Sequence, residues 1–119
     1  MRKHGLAALG AAAALAMAFA SLSIPAQAKI SEDFYGRVVH VSTDNIKVRD
    51  PQTGTIRSFV MLPSFNRMFY DGGKPTQMVQ LHPGMPVEIV YDTTALGIRH
   101  VDRIIRLHGG YPAGYRNDY

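Results

Sequence analysis

The sequence predicts an all-β fold, a small closed barrel of five strands with one short helical turn. Short apolar stretches rich in valine and isoleucine are separated by clusters of Gly, Pro, Asp and Asn, which is typical of strand-rich chains. The chain also contains no cysteine, so disulfides cannot reinforce it. Closure of the sheet removes exposed strand edges and is therefore favoured over an open arrangement.

Five strands follow from the apolar patterns. Residues 45–50 alternate most clearly, with Ile46 and Val48 on one face and Lys47 and Arg49 on the other. In the fourth strand, Val87, Ile89 and Tyr91 share a face. The predicted strands are residues 35–42, 45–50, 55–62, 85–91 and 99–107.

Turn signals separate these strands. The loop 50–54 predicts a hairpin between the second and third strands, because Pro51 presets one backbone dihedral and Gly54 supplies a positive one. The sequence His-Pro-Gly at 82–84 predicts a tight turn of type II. Apolar residues at i, i+3 and i+4 within 65–69 predict the helical turn, whereas residues 74–81 fit either a strand or an extended connection.

The first strand shows where the predicted barrel bends. Gly36 suits a bulge or a tight corner. Val38 and Val41 cannot both face inward under strict alternation, so we expect a bulge at residues 39–40. The architecture is an OB-like or SH3-like barrel, and a two-sheet sandwich is disfavoured because the strands are few.

The N-terminus reads as a secretory signal peptide over residues 1–28. It has a basic start at Arg2 and Lys3, an apolar run over 6–20 and a small-residue end at 26–28. Cleavage after Ala28 predicts a periplasmic or secreted chain of 91 residues without a transmembrane anchor. An uncleaved anchor is the alternative, but the run is mostly alanine and shorter than a typical span.

The predicted mature chain divides into three parts. Residues 29–33 form a linker, residues 34–108 the β-barrel domain and residues 109–119 a flexible tail rich in Gly and Tyr. Removal of the leader leaves eleven Lys and Arg against nine Asp and Glu, a net charge of +2. This mild charge makes nucleic acid an unlikely partner.

Four stretches carry a resemblance to known proteins. They are residues 36–41 (GRVVHV), 45–48 (NIKV), 53–54 (TG) and 81–92 (LHPGMPVEIVYD). In this succession the chain resembles small secreted bacterial β-barrel families of unknown function, built like OB folds. The resemblance implies the fold and export, and it transfers no catalytic residue.

Motifs for catalysis are missing from the sequence. It has no G-x-S-x-G elbow, phosphate-binding loop, dinucleotide fingerprint or paired-carboxylate motif. Glu88, Asp92 and Asp102 are explained more simply as solvated charges than as acid–base groups. We therefore predict a protein that is not an enzyme and has no catalytic residues and no cofactor.

Histidine and methionine offer an alternative, because imidazole and thioether groups suit copper. Antiparallel pairing of the first and fourth strands would bring His40 toward His82 and Met85. The simpler interpretation is that His40 is a half-exposed strand residue, His82 is a turn residue and Met85 fills the core. Under the alternative, the chain is a periplasmic metal-handling protein that binds copper.

A basic and aromatic surface is the main candidate for ligand binding. OB-like barrels bind ligands across their strands with such groups, although scattered solubilising charges would look the same. The candidate residues are Lys47, Arg49, Arg57, Arg103, Arg106 and Tyr91.

The tail adds Tyr111, Tyr115 and Tyr119, whose spacing fits either a docking segment or simple disorder. The sequence as a whole predicts an exported, non-enzymatic binding or interaction module of the periplasm or cell envelope. Its partner would be an envelope protein, a glycan or an anionic surface.

Overall fold

Seven strands and one 3-10 turn make up the part of the chain described by the computed structural model, residues 30–94 and 96–119. The strands are β1 (Glu32–Val41), β2 (Asn45–Arg49), β3 (Ile56–Val60), β4 (Met68–Asp71), β5 (Lys74–Gln77), β6 (Pro86–Thr93) and β7 (Arg99–Arg106). They belong to one compact unit, Ser31–Tyr119. The signal peptide predicted for residues 1–28 lies outside the described residues. In the described ranges, no helix is long and apolar enough to cross a membrane.

All seven strands form a single sheet, in the order β3-β2-β1-β6-β7-β4-β5. β1 pairs antiparallel with β2 and β6, and β6 pairs antiparallel with β7. β3 also runs parallel to β7, through Val60 and His100. The all-β prediction is confirmed, and the five predicted strands correspond to β1, β2, β3, β6 and β7.

The bulge predicted in the first strand is confirmed. The pairing of β1 with β2 shifts register between Val38 and His40, which leaves one extra residue in β1. Val38 is consequently buried at 2% exposure, and Val41 also packs against the core. The shift reconciles two valines that strict alternation would place on opposite faces.

The helical turn predicted for residues 65–69 is wrong, because the end of that stretch belongs to a hairpin. β4 and β5 pair antiparallel and are joined by Gly72 and Gly73, with φ of 59° and 80°. A two-residue turn of this kind needs positive φ at both central positions, which glycine adopts without steric cost. Phe69 lies in β4 and is buried. The helical turn occurs later, as the 3-10 turn Met78–Gln80.

Two other predicted turns are confirmed. In the β2–β3 loop, Asp50 N–H donates to Thr55 O at 2.8 Å, and Gly54 has φ of 76°. Before β6, Met85 N–H donates to His82 O at 3.3 Å, and Gly84 has φ of 92°. Positive φ at the third residue is what a type II turn requires.

The core is built from the inward faces of the strands. β1, β2, β3, β4, β6 and β7 each contribute at least one fully buried apolar side chain, while the alternate residues face outward. The core residues are Phe34, Val38, Ile46, Val48, Phe59, Met61, Phe69, Leu81, Val87, Ile89, Tyr91, Val101 and Ile104.

Candidate functional site

A cleft of about 470 Å³ opens beside the β4–β5 hairpin. Its walls come from that hairpin, the 3-10 turn, the turn before β6 and the end of β7. The polar lining residues are Asp71, Thr76, Gln77, Gln80, His82 and Arg106, and the apolar ones are Phe69, Pro75, Val79 and Met85. Val79, on the 3-10 turn, is 72% exposed. The cleft therefore combines a buried aromatic side chain, amide and hydroxyl groups, and a cation.

The only carboxylate among the lining residues is already paired. Arg106 Nη1 lies 3.5 Å from Asp71 Oδ2, and His108 Nε2 contacts Asp71 Oδ1. The hydrogen bond from His108, helped by the charges of His108 and Arg106, lowers the pKa of Asp71 although partial burial opposes the shift. The lowered pKa favours the ionised form of Asp71, and its contacts with Arg106 and His108 tie β4 to the end of β7.

The structure brings together two of the three predicted metal ligands. His82 and Met85 both line the cleft, but His82 N–H donates to Met85 Sδ at 3.4 Å, so the thioether is already an acceptor. His40 is exposed on β1, where it pairs with Lys47, and it is not one of the lining residues. Within residues 30–94 and 96–119, no three His, Cys, Asp or Glu side chains are grouped to hold a metal ion.

The predicted basic residues do not share one surface. Lys47 and Arg49 point outward from β2, whereas Arg57 pairs with the buried Val48 and faces the other side of the sheet. The Arg57 guanidinium lies 4.7 Å from the centre of the Tyr119 ring. Arg103 is exposed on β7, and Arg106 lines the cleft. These cations therefore do not form a single binding face.

Tyr91 is a core residue and cannot serve as the exposed aromatic contact that we predicted. It is 2% exposed, and its ring centre lies 5.0 Å from that of Phe59. Burial raises the pKa of the Tyr91 phenol, with a further contribution from Glu32. In the sequence, the face that Tyr91 shares with Val87 and Ile89 was the signal that its side chain would be buried.

Residues 111–119, which we call the tyrosine segment, lie against the sheet, whereas their composition predicted a flexible tail. The segment contains no strand or helix. The Asn117 side chain nevertheless donates to Tyr35 O and accepts from Tyr35 N–H, both at 2.8 Å. Tyr115 packs on Tyr35 with ring centres 5.7 Å apart. The segment has few aliphatic residues, but its tyrosine and asparagine side chains make the contacts with the sheet.

The tyrosine segment also covers Asp50, a charged residue that is only 1% exposed. Asp50 accepts hydrogen bonds from the Tyr119 hydroxyl, from the Tyr115 hydroxyl at 3.4 Å and from Gln52 N–H at 2.9 Å. Burial alone would raise the pKa of Asp50, but hydrogen bonds from Tyr119, Gln52, Asn117 and Tyr115 outweigh it and lower the pKa. The segment thus satisfies a buried charge.

Acid is expected to release the tyrosine segment. A carboxylate with a lowered pKa in the folded protein stabilises it above the ordinary value of 3.8 and loses that effect as the pH falls below 3.8 through the folded pKa. Near-ultraviolet circular dichroism of the tyrosines should therefore change below pH 3.8. The Asp50→Asn variant should lack this change, and Asp44→Asn should retain it. An unaltered acid transition in Asp50→Asn would contradict the assignment.

A comparison with known protein families, curated proteins and solved structures found no match for this chain.

Proposed function

We propose that this protein is an exported, non-enzymatic binding module of the periplasm or cell envelope, and that the cleft beside the β4–β5 hairpin is its ligand site. The cleft carries the proposal, because its volume of about 470 Å³ lies within the range of about 300 to 1,000 Å³ that is usual for small-molecule sites. Export is supported by the basic, apolar and small-residue pattern of residues 1–28.

We further propose that the sheet is a closed, OB-like barrel. The pairings support this idea, since β1 lies between β2 and β6, and β3 contacts both β2 and β7. The strands β1, β2, β3, β7 and β6 would then form a ring, with β4 and β5 added beside β7. The hairpin that walls the cleft would be attached to this ring through the pairing of β4 with β7, at Tyr70 with Ile105 and at Asp71 with Arg106.

The chemistry of the cleft favours a polar ligand. Thr76, Gln77 and Gln80 offer hydroxyl and amide groups, which both donate and accept hydrogen bonds. Arg106 adds a cation, although Asp71 offsets part of its charge. We propose a hydroxyl- and carboxylate-bearing glycan of the cell envelope as the ligand. The engagement of Asp71 with Arg106 and His108 supports binding over acid–base chemistry.

Soluble fragments of bacterial cell-wall glycan provide the test. The protein, expressed with its leader and purified after export, would be titrated with these fragments and followed by amide chemical shifts. We expect shifts at the cleft, and at least tenfold weaker binding after Gln77→Ala and Gln80→Ala together. This double substitution leaves the core and the Asp71 contacts intact.

A matched variant distinguishes the cleft from the basic surface predicted from sequence. Lys47→Ala with Arg49→Ala removes two exposed cations from the outward face of β2, and we expect it to bind the fragments as the unchanged protein does. Loss of binding in this variant alone would move the site to β2. If the unchanged protein binds no fragment even at low ionic strength, the glycan proposal fails.

The copper-type alternative remains a second proposal, supported by the presence of His82 and Met85 in the same cleft. The same protein would be titrated with Cu(I), Cu(II) and Zn(II) beside a His40→Ala, His82→Ala variant. Metal handling predicts tight binding that the variant loses. Equal binding by the two proteins would end this alternative.

A further inference from the structure

One side of the first half of β1 lacks a strand neighbour among the described residues. β1 pairs with β6 from Glu32 to Arg37, but its pairing with β2 begins only at Arg37. The main-chain N–H and C=O of Tyr35 point toward this open side, because Asn117 binds both of them. The segment 32–36 is therefore a short open strand edge, which ordinarily invites pairing with another chain.

Asn117 occupies that edge in place of a strand. Its side-chain amide makes one donor and one acceptor contact with a single residue of β1, as a paired residue of a neighbouring antiparallel strand would. The main chain of Tyr35 can thus be recognised by a side chain, without the backbone of a neighbouring strand. The side-chain amide reproduces the hydrogen bonding of a peptide group.

Two residues after Asn117, Tyr119 contacts three residues of the sheet and the β2–β3 loop, although it remains 60% exposed. Its hydroxyl donates to Asp50, its ring meets Phe34 edge-on at 6.2 Å, and Arg57 lies over its face. A buried carboxylate, an aromatic edge and a cation therefore all meet one tyrosine side chain. A cavity of about 350 Å³ lies along this contact, lined by Asp50, Gln52, Thr53, Arg116, Asn117 and Tyr119. We call Phe34, the Tyr35 main chain, Asp50 and Arg57 the edge site.

The tyrosine segment is attached in a way that permits exchange. It follows Gly109 and Gly110, of which Gly110 has φ of 84°, and most of its residues are exposed. Its hold on the sheet comes from a few side chains and not from a strand ladder. Exchange of an identical element between two copies costs little, because the same contacts are made in both arrangements.

We propose that the edge site is a peptide-recognition site for an Asn-x-Tyr segment and that its occupant in trans is the tyrosine segment of a second copy of this chain. Residues 111–119 fit the edge site within one copy, and every other copy carries the same segment. Release of the segment in one molecule opens its edge site to the segment of another. This interaction is separate from the cleft and does not depend on the glycan proposal.

Two complementary variants test the exchange. Asn117→Ala with Tyr119→Phe damages the segment and leaves the edge site intact, whereas Asp50→Asn damages the edge site and leaves the segment intact. A fluorescent peptide of residues 109–119 should bind the segment variant at least tenfold more tightly than the unchanged chain, whose edge site is filled. Light scattering should show a dimer when the two variants are mixed at high concentration.

Two controls guard against loss of folding. Circular dichroism would establish that each variant is folded. If the double variant unfolds, the single Asn117→Ala variant, which keeps the tyrosine contacts, replaces it. The Asp50→Asn protein should bind the peptide no better than the unchanged chain. The proposal would be overturned if a folded segment variant bound no peptide, or if Asp50→Asn bound the peptide as tightly as the segment variant does. Monomers in the mixture at every concentration would also overturn it.

Discussion

Replacing Gly36 with alanine is expected to destabilise the protein by about 3 kcal/mol, as overpacking in a rigid core does. A Cβ atom at this position would lie 2.4 Å from the carbonyl oxygen of Arg49 and 2.6 Å from a methyl carbon of Val48. The first of these is a backbone atom of β2 and cannot rotate away. β1 and β2 must therefore separate where the bulged pairing begins.

Urea unfolding followed by circular dichroism measures this effect. Gly109→Ala is the matched control, because no atom lies within 4 Å of a Cβ placed there. We expect that control to stay within about 0.5 kcal/mol of the unchanged protein, as surface substitutions usually do. Equal unfolding midpoints for the two variants would show that β1 and β2 can move apart without cost.

Truncation of Phe59 to alanine should have the largest effect on stability, about 4 kcal/mol, the usual cost of removing a buried phenylalanine. The side chain is fully buried, and its ring centre lies 5.4 Å from that of Phe34 and 5.0 Å from that of Tyr91. Small domains have only about 5 to 15 kcal/mol of stability. This chain has no disulfide to offset the loss.

Thermal and urea unfolding would be compared across three variants of β3, namely Phe59→Ala, Phe59→Leu and Ile56→Ala. Phe59→Leu keeps much of the volume and should fall between Phe59→Ala and the unchanged protein. Ile56→Ala, on the same strand but 45% exposed, should cost less than about 1 kcal/mol, because little of the removed surface is buried. If Ile56→Ala lowered the free energy of unfolding as much as Phe59→Ala does, Phe59 would not be part of the core.

Local patterns predicted most of the sheet. The alternation of Ile46 with Lys47 reports burial directly, since successive side chains of a strand face opposite ways. The bulge at residues 39–40 followed from two valines that needed the same side. These features depend on neighbours in sequence, so they can be recognised without knowledge of the fold.

The β4–β5 hairpin shows how a local pattern misleads. Phe65, Met68 and Phe69 have helical spacing, but the first lies in a loop and the other two in β4. The stronger signal was Gly72-Gly73, a pair that favours a two-residue hairpin turn. The cleft depends on this hairpin, so its location could not be predicted once the hairpin was missed.

Sequence alone determined the all-β class, the main strands, the bulge, and the turns at 50–54 and 82–84, because each depends on residues a few positions apart. Only the tertiary structure decided which cations face the same way, that Tyr91 is buried, and that the tyrosine segment covers Asp50. The Asn117 contact with Tyr35 spans 82 positions of the chain. No periodic pattern encodes such a contact, since it arises only when the folded sheet leaves one strand edge open for a side chain to fill.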